Sequence, residues 1–334
     1  MLLKVVDPGT SLSSTSLLTT IKIPRRRCEP TAPQGGGTGP ELINALGGKL
    51  PFLPQDPAAR RDAFNHMLAE NGRKLPVTVS EISTKDVQVD DNVSVRIYQP
   101  STAKQGGKLP LLVFYHGGGW IAGNLDIEDH MCRTVCGEAE CIVVSVDYRL
   151  TPEVDFATML NDCFAAAEWA HSKAAELNAD PQRYGYWGGS AGGALALAAA
   201  YRLISSGKRD HISAIILMSP MCLHPDATPE KYRHLHRSTV ENSGLVPIVT
   251  WDDCVASYRA NDVLPPYGDR KAAWFPTSLG SEALKDMPPT YIYNTDLECM
   301  RDDGTVLEAE LRDAGVSTKR DVMPGLPHYF WVLP

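Results

Sequence analysis

Hydrophobic and polar positions follow two different patterns along the chain, and the pattern changes near residue 82. Before that point Pro and Gly interrupt the sequence, and only two short stretches have helical spacing, "ELINALGG" and "DPAARRDAFNHMLAENG". After it, "DVQVDDNVSVRIYQP" alternates between apolar and polar residues, which predicts two strands in a hairpin. The continuous apolar runs in "LPLLVFYHGGG" and "CIVVSVDYRL" predict strands that are buried on both faces.

Predicted strands and helices alternate over most of the remaining chain. Helices are predicted near residues 126–139, roughly over 155–177, in "SAGGALALAAA" and in "DDGTVLEAELRDAG". Further strands are predicted in "RYGYWGG", "ISAIILMSP", "PPTYIYNTD" and "VSTKRDVMPG". The alternation predicts an α/β fold with a mostly parallel, doubly wound sheet of about eight strands, whose first two strands form an antiparallel edge.

Two parts of the chain do not fit the alternation. These are residues 1–75, which are irregular, and residues 221–287, which are helical and irregular. The predicted core therefore comprises residues 76–220 and 288–334. Both of the other parts can lie above the carboxyl edge of the sheet, where folds of this class bind their ligands.

Composition and charge exclude several classes of protein. The chain has 334 residues, of which 43% are hydrophobic, and a net charge of −8, so nucleic acid is not the expected partner. No apolar run approaches the length of about 18 residues that a membrane-spanning helix needs. The eight cysteines are scattered without a C-x-x-C pair, which favours a reducing, cytoplasmic location. His234 and His236 lack Cys or carboxylate neighbours at ligand spacing, so a solvated face and no metal are expected.

Ser190 is the first candidate for chemistry. It stands in "GGSAGG", between a predicted strand and a predicted helix, and it matches the G-x-S-x-G pattern of a nucleophile on a sharp turn. Glycine at 188 and 192 removes the side chains that would collide in such a turn. A serine that only capped the helix would not require these flanking glycines, because glycine lowers helix stability.

A serine hydroxyl needs a base and a site for the developing negative charge. His328, in "PGLPH" just after the last predicted strand, is the candidate base. The three glycines of "HGGGW" leave backbone N–H groups free, so the N–H groups of Gly117, Gly118 and Ala191 are the predicted oxyanion donors. This chemistry needs neither a metal nor an organic cofactor.

Four motifs now occur in a specific order: "HGGGW", "DYRLTPE", "GGSAGG" and "PGLPH". In this respect the chain resembles the hormone-sensitive-lipase-like esterases of the α/β-hydrolase superfamily, over about residues 82–334. The resemblance implies a serine carboxylesterase with a helical cap built from residues 1–75 and 221–287. It maps the family's nucleophile to Ser190 and its oxyanion glycines to Gly117 and Gly118.

The resemblance leaves the acid of the triad open between two residues. The family's acid stands in a D-P-L-x-D-E/D-G pattern, and aligning its last glycine with Gly304 places the acid at Glu298. Asp296, in "NTDLE", lies closer to the end of the strand and is the alternative. The chain also departs from the family at Gly189, because the family usually has Asp or Thr before the serine.

The expected substrate is a small or medium acyl ester, and a secondary-metabolite acetate or a polyketide-type ester is suggested by fungal-type members. Amide or lactone hydrolysis, acyl transfer on the same triad, and a non-catalytic small-molecule receptor are the alternatives. Some aromatic side chains are expected to line a pocket, whereas most of those in the predicted cap are expected to form its own core. The resemblance implies a monomer or a homodimer. The candidate pocket residues are Trp120, Trp251, Tyr258, Trp274 and Tyr329.

Overall fold

A computed structural model describes residues 56–75, 81–101, 107–243 and 249–332. The predicted helix in "ELINALGG" and the rest of residues 1–55 lie outside this part. The described residues form one sheet of eight strands in the order β1-β2-β4-β3-β5-β6-β7-β8. The strands are β1 (Ile82–Gln88), β2 (Ser94–Pro100), β3 (Leu109–Tyr115), β4 (Ile142–Asp147), β5 (Ala179–Gly189), β6 (Ala214–Met218), β7 (Thr290–Thr295) and β8 (Thr318–Met323).

The pairing of the strands confirms the predicted sheet. β1 pairs with β2 and β2 pairs with β4 in antiparallel register, whereas all pairs from β4 through β3, β5, β6 and β7 to β8 are parallel. Strands β6 and β7 are buried at every residue, and the sequence of β6 is apolar throughout. β1 alternates poorly and is largely exposed, which fits its place at the edge.

Helices cover both faces of the sheet. The longer ones are α1 (Pro57–Lys74), α2 (Asp129–Glu138), α3 (Phe156–Ser172), α4 (Ala191–Ser205) and α9 (Arg301–Asp313). Buried side chains of α3, α4 and α9 pack with Leu111 and Val113 of β3, and those of α2 pack with Leu112 and Phe114 on the opposite face. Alternate residues of one strand therefore serve two cores, which is why its sequence is apolar throughout.

Short helices fill the chain between β6 and β7. They are α5 (Ser238–Glu241), α6 (Trp251–Ala260), α7 (Asp269–Ala272) and α8 (Ser281–Leu284), together with several 3₁₀ turns. α6 begins with a capping box between Thr250 and Asp253. The same Asp253 pairs with Arg60 at 2.6 Å, so α1 contacts the segment that follows β6.

Helix α1 also contacts the loop after β3. Asn65 Oδ1 accepts a hydrogen bond from the Gly123 N–H at 2.8 Å, and Arg61 Nε donates to the Ile121 carbonyl at 2.5 Å. This loop contains the "HGGGW" sequence. Among the described helices, none combines the length and the apolar character needed to cross a membrane.

Candidate active site

Ser190 lies on a sharp turn between β5 and α4. Its backbone has φ 55° and ψ −123°, a region that non-glycine residues rarely adopt. Its N–H donates to the Met218 carbonyl at 2.8 Å, and its carbonyl accepts from the Met221 N–H at 3.0 Å. These bonds to the end of β6 hold the strained turn, as is common where strain serves function.

The glycines on either side of Ser190 are required by close backbone packing. A Cβ at Gly188 would overlap the carbonyl of Gly192, and a Cβ at Gly192 would overlap the carbonyls of Tyr115 and His116. The start of α4 therefore lies directly against the end of β3. Glycine at these positions brings the helix N-terminus, with its unpaired N–H groups, to the loop after β3.

Ser190, His328 and Glu298 form one hydrogen-bonded chain at the carboxyl edge of the sheet. His328 Nε2 lies 2.9 Å from Ser190 Oγ, and His328 Nδ1 lies 2.6 Å from Glu298 Oε2. Because an ionised carboxylate only accepts, Nδ1 carries the proton and Nε2 is left to accept from the serine hydroxyl. Ser190 is 5% exposed, and the other two side chains are fully buried.

The surroundings of Glu298 fix its orientation. Its second oxygen, Oε1, accepts from Asn294 Nδ2 at 2.9 Å and from the Thr295 N–H at 3.0 Å. Asn242, from the segment between β6 and β7, donates to the Glu298 carbonyl at 2.8 Å. Each carboxylate oxygen therefore accepts from at least one donor, which holds the carboxylate in one orientation toward His328.

The structure brings Glu298, and not Asp296, to the histidine. Asp296 donates its backbone N–H to the Met323 carbonyl, and its Oδ1 is buried without a hydrogen-bond partner. No hydrogen bond or ion pair within the described residues joins Asp296 to His328. The geometry therefore favours Glu298 as the acid.

Two of the three predicted oxyanion donors are free, and one is not. No hydrogen bond within the described part of the chain uses the N–H of Gly118 or of Ala191. The Gly117 N–H, in contrast, donates to Glu128 Oε2 at 3.0 Å. The prediction for Gly117 is corrected accordingly: its N–H holds the loop in place, and of the three predicted donors those of Gly118 and Ala191 are free within the described residues.

Glu128 is a residue near the site that the sequence did not reveal. It precedes α2, is 2% exposed, and accepts from Gly117 N–H and from Trp331 Nε1 at 2.8 Å. Burial raises the pKa of Glu128 to about 7, although the two hydrogen bonds oppose the shift. One of the three carboxylates in "LDIEDH" carries no sequence signal of its own, because the partners of Glu128 lie far from it along the chain.

The contacts of His116 indicate a structural role and not a catalytic one. Its Nδ1 lies 2.7 Å from the Gly117 carbonyl, and its ring stacks on Tyr148 with centroids 4.2 Å apart. Burial lowers the pKa of His116 to about 4, so the ring is neutral at neutral pH. It packs against the loop of glycines that follows β3.

The five aromatic residues predicted for the pocket lie in two places. Trp120 is fully buried, donates from Nε1 to the Ala191 carbonyl at 3.0 Å, and packs edge-on against Tyr258. Trp251 packs near Tyr258, whereas Trp274 packs on Phe156, so these residues belong mainly to a hydrophobic core. Tyr329, which follows His328, has φ 63° and a buried hydroxyl without a partner, next to Gly117.

The two histidines considered as metal ligands, His234 and His236, lie in different environments. His234 is exposed, as expected. The expectation of a solvated face is wrong for His236, whose Nε2 lies 3.0 Å from Asp303 Oδ1 in a buried pair. Within the described residues there is no group of three or more side chains that could hold a metal ion.

Comparison with known proteins shows the family to which the chain belongs. Residues 112–332 match the family described as the alpha/beta hydrolase fold. Versiconal hemiacetal acetate esterase of Dothistroma septosporum is 36% identical over 245 residues, which are 73% of either chain. Carboxylesterase NlhH of Mycobacterium tuberculosis is 32% identical over 251 residues, which are 71% of this chain and 70% of the relative.

A solved structure has the same architecture. The crystal structure of vibralactone cyclase superimposes with a TM-score of 0.75 at 28% identity, and the match covers 88% of each chain. The sheet and its helices thus have an architecture similar to that of this cyclase.

Proposed function

Because the chain belongs to the alpha/beta hydrolase fold family and is a serine carboxylesterase, we propose that Ser190, His328 and Glu298 are its catalytic triad. The observation that carries the proposal is the hydrogen-bonded chain from Glu298 through His328 to Ser190, at 2.6 Å and 2.9 Å. The proposed substrate is an ester with a small acyl group.

The first half of the reaction acylates Ser190. His328 Nε2 takes the hydroxyl proton while Ser190 Oγ attacks the ester carbonyl, and Glu298 stabilises the imidazolium that forms. The carbonyl oxygen becomes an oxyanion, which the N–H groups of Gly118 and Ala191 stabilise. His328 then returns the proton to the leaving alcohol, so the C–O bond of the ester breaks and the acyl-enzyme remains.

The second half of the reaction repeats these roles with water. His328 takes a proton from water, whose oxygen attacks the acyl carbonyl, and the same two N–H groups bear the oxyanion. Collapse of this intermediate returns the proton to Ser190 Oγ and releases the carboxylic acid. The strained turn holds Ser190 Oγ in place as the nucleophile of the first half and as the leaving group of the second, which lowers the entropy that each step must lose.

The space beside Ser190 supports a small acyl group. A Cβ added at Gly189 would lie 3.1 Å from Met218 Cε and 3.3 Å from Trp331 Cζ2, so large side chains already fill this side of the turn. The similarity to an esterase named for a hemiacetal acetate supports an acetate of a secondary metabolite as the substrate.

The surroundings of the site support three further proposals. Helix α1 and the short helices between β6 and β7 form a cap, supported by the ion pair of Arg60 with Asp253. A cytoplasmic location is supported by the cysteines, all of which are free and buried in the part of the chain that is described. The working unit is a monomer or a homodimer.

Hydrolysis of p-nitrophenyl esters by purified protein tests the proposed function. The Ser190→Ala variant should lose about 10⁴-fold or more in kcat while it stays folded, and Ser172→Ala, at the exposed end of α3, should match the wild type. The acetate should exceed the decanoate in kcat/KM by at least about tenfold, a difference of about 1.4 kcal/mol. Retained activity in folded Ser190→Ala would refute the nucleophile, and a preference for decanoate would refute the small acyl pocket.

Acyl transfer is the second candidate, because one observation favours it. Ser190 is 5% exposed and His328 is fully buried, so the acyl-enzyme is protected from bulk water. The similarity to a cyclase supports an alcohol as the acceptor. Added alcohols would then divert most of the acyl group into a new ester, whereas release of free acid at an unchanged rate would leave hydrolysis as the reaction.

A further inference from the structure

A buried carboxylate without a cation lies beside the proposed active site. Glu128 occupies the N-cap position of α2, yet its side chain makes no capping bond to its own helix. Its carboxylate accepts instead from the Gly117 N–H at 3.0 Å and from Trp331 Nε1 at 2.8 Å. We call these two hydrogen bonds the Glu128 bridge.

Burying the Glu128 carboxylate costs free energy that a purely structural role would not require. Glu128 is 2% exposed, and no ion pair within the described residues involves it. Removing a carboxylate from water without a cation partner costs more than two neutral hydrogen bonds return. An apolar side chain of similar volume would serve packing alone at lower cost.

The two donors belong to the loops that carry the proposed chemistry. Gly117 directly precedes Gly118, a free donor for the oxyanion, and Trp331 lies three residues after His328 in the same C-terminal turn. These loops follow β3 and β8, which are separated in the sheet by β5, β6 and β7. Strand pairing therefore does not fix one loop directly against the other, whereas the bridge joins them through a single side chain.

Gly189 leaves the room that the bridge needs. A Cβ at this position would lie 3.3 Å from Trp331 Cζ2 and 3.6 Å from Glu128 Oε1. A longer or acidic side chain before Ser190 would therefore meet the indole and the carboxylate. This contact gives a physical reason for the glycine where the resembled family usually has Asp or Thr.

We propose that Glu128 is a positioning residue, which sets the distance between the oxyanion loop at Gly118 and the base His328 through its bonds to Gly117 and Trp331. This inference rests on the proposed function. Glu128 does not touch the reacting atoms. It acts by holding two loops in the geometry of the transition state, where a displacement of about 1 Å can cost about 10²-fold in rate.

The Glu128→Gln variant tests the bridge, because it keeps the shape and removes one acceptor. Both partners are N–H donors, so the glutamine amide must turn its own NH₂ toward one of them. The measured quantity is kcat for p-nitrophenyl acetate per Ser190 titrated to completion with a fluorophosphonate. We expect kcat to fall by about 10- to 100-fold while KM stays within about threefold. Glu282→Gln, an exposed carboxylate of α8, is the control that should match the wild type.

A double-mutant cycle keeps the test independent of stability. Trp331→Phe removes one donor and keeps an aromatic ring, so it should lower kcat by less than Glu128→Gln does. If both residues act through one bridge, the double variant should be about as slow as Glu128→Gln alone. A double variant in which the two losses multiply, or a Glu128→Gln protein with wild-type kcat per titrated serine, overturns the proposal.

Failure of the bridge and failure of the proposed function give different results. A wild-type protein in which fluorophosphonate does not label Ser190 removes the proposed function, and the inference falls with it. A labelled, active wild type whose Glu128→Gln variant is equally fast removes the bridge alone.

Discussion

Replacement of Glu298 by glutamine should be far more damaging than its small change in shape suggests. The carboxylate receives three donors: His328 Nδ1 at 2.6 Å, Asn294 Nδ2 at 2.9 Å and the Thr295 N–H at 3.0 Å. Whichever way the amide turns, its NH₂ faces a donor in a fully buried site. If the NH₂ faces His328, the ring takes the other tautomer, and Nε2 can no longer accept the Ser190 proton.

The expected loss in kcat of the Glu298→Gln variant can be estimated from the change in the His328 tautomer. An amide in place of the acid of a serine triad lowers kcat by about 10⁴-fold, which is the value known for the serine proteases, and this corresponds to about 5 kcal/mol in the barrier. KM for a small ester should change little, because Glu298 does not contact the substrate. The assay is kcat for p-nitrophenyl acetate per titrated Ser190, with folding checked by circular dichroism.

Asp296→Asn is the matched control for this prediction. Asp296 is two residues away and is also an acid, but its side chain makes no hydrogen bond to His328 in the described structure. Its replacement should leave kcat within about threefold of the wild type, since surface and loop changes without a lost partner have small effects. The reasoning is refuted if Asp296→Asn is the inactive protein and Glu298→Gln keeps its rate.

Two more predictions follow from packing and from the buried carboxylate. Gly192→Ala forces a Cβ onto backbone carbonyls, so it should lower the free energy of chemical unfolding by about 1–3 kcal/mol and slow hydrolysis. Gly72→Ala in α1, where the added Cβ would make an ordinary 3.8 Å contact, should be neutral or stabilising. Equal stability of the two variants would contradict this prediction. Burial raises the Glu128 pKa from 4.5 to about 7, so the folded protein binds more protons than the unfolded protein between these pH values. Its free energy of unfolding therefore falls by about 3 kcal/mol as pH rises through them. Glu128→Gln should lack this loss, so its stability relative to the wild type should rise from pH 5 to pH 8, and parallel curves would contradict the shift.

The sequence predicted those features that depend on local pattern. Apolar runs predicted β3 and β4, because strands buried on both faces have no polar side. The helix predicted over roughly 155–177 ends earlier, at Ser172, because residues 173–178 turn back toward β5 and Asn178 has φ 57°. Helix ends depend on such local turns, which periodicity does not reveal.

The residues of the candidate site could be predicted where a sequence motif identified them. They could not be predicted where a contact with a side chain distant in the sequence determines their role. Ser190 and His328 were found because their turns follow strands whose carboxyl ends meet at one edge. Gly117 was misassigned because its N–H is taken by Glu128, and only the packing of α2 against the loop brings the two together. The aromatic residues were identified by type, but their sequence positions do not tell a pocket wall from a hydrophobic core.

Covalent labelling decides whether Ser190 is the nucleophile on which the proposed mechanism depends. Wild-type protein is incubated with a fluorophosphonate, followed by intact mass spectrometry, peptide mapping and parallel measurement of ester hydrolysis. We predict one phosphonyl group per chain, located on Ser190, with activity lost in proportion to labelling and no adduct on Ser190→Ala. Full activity in completely labelled protein, or an adduct on another residue that alone accounts for the lost activity, would contradict this assignment.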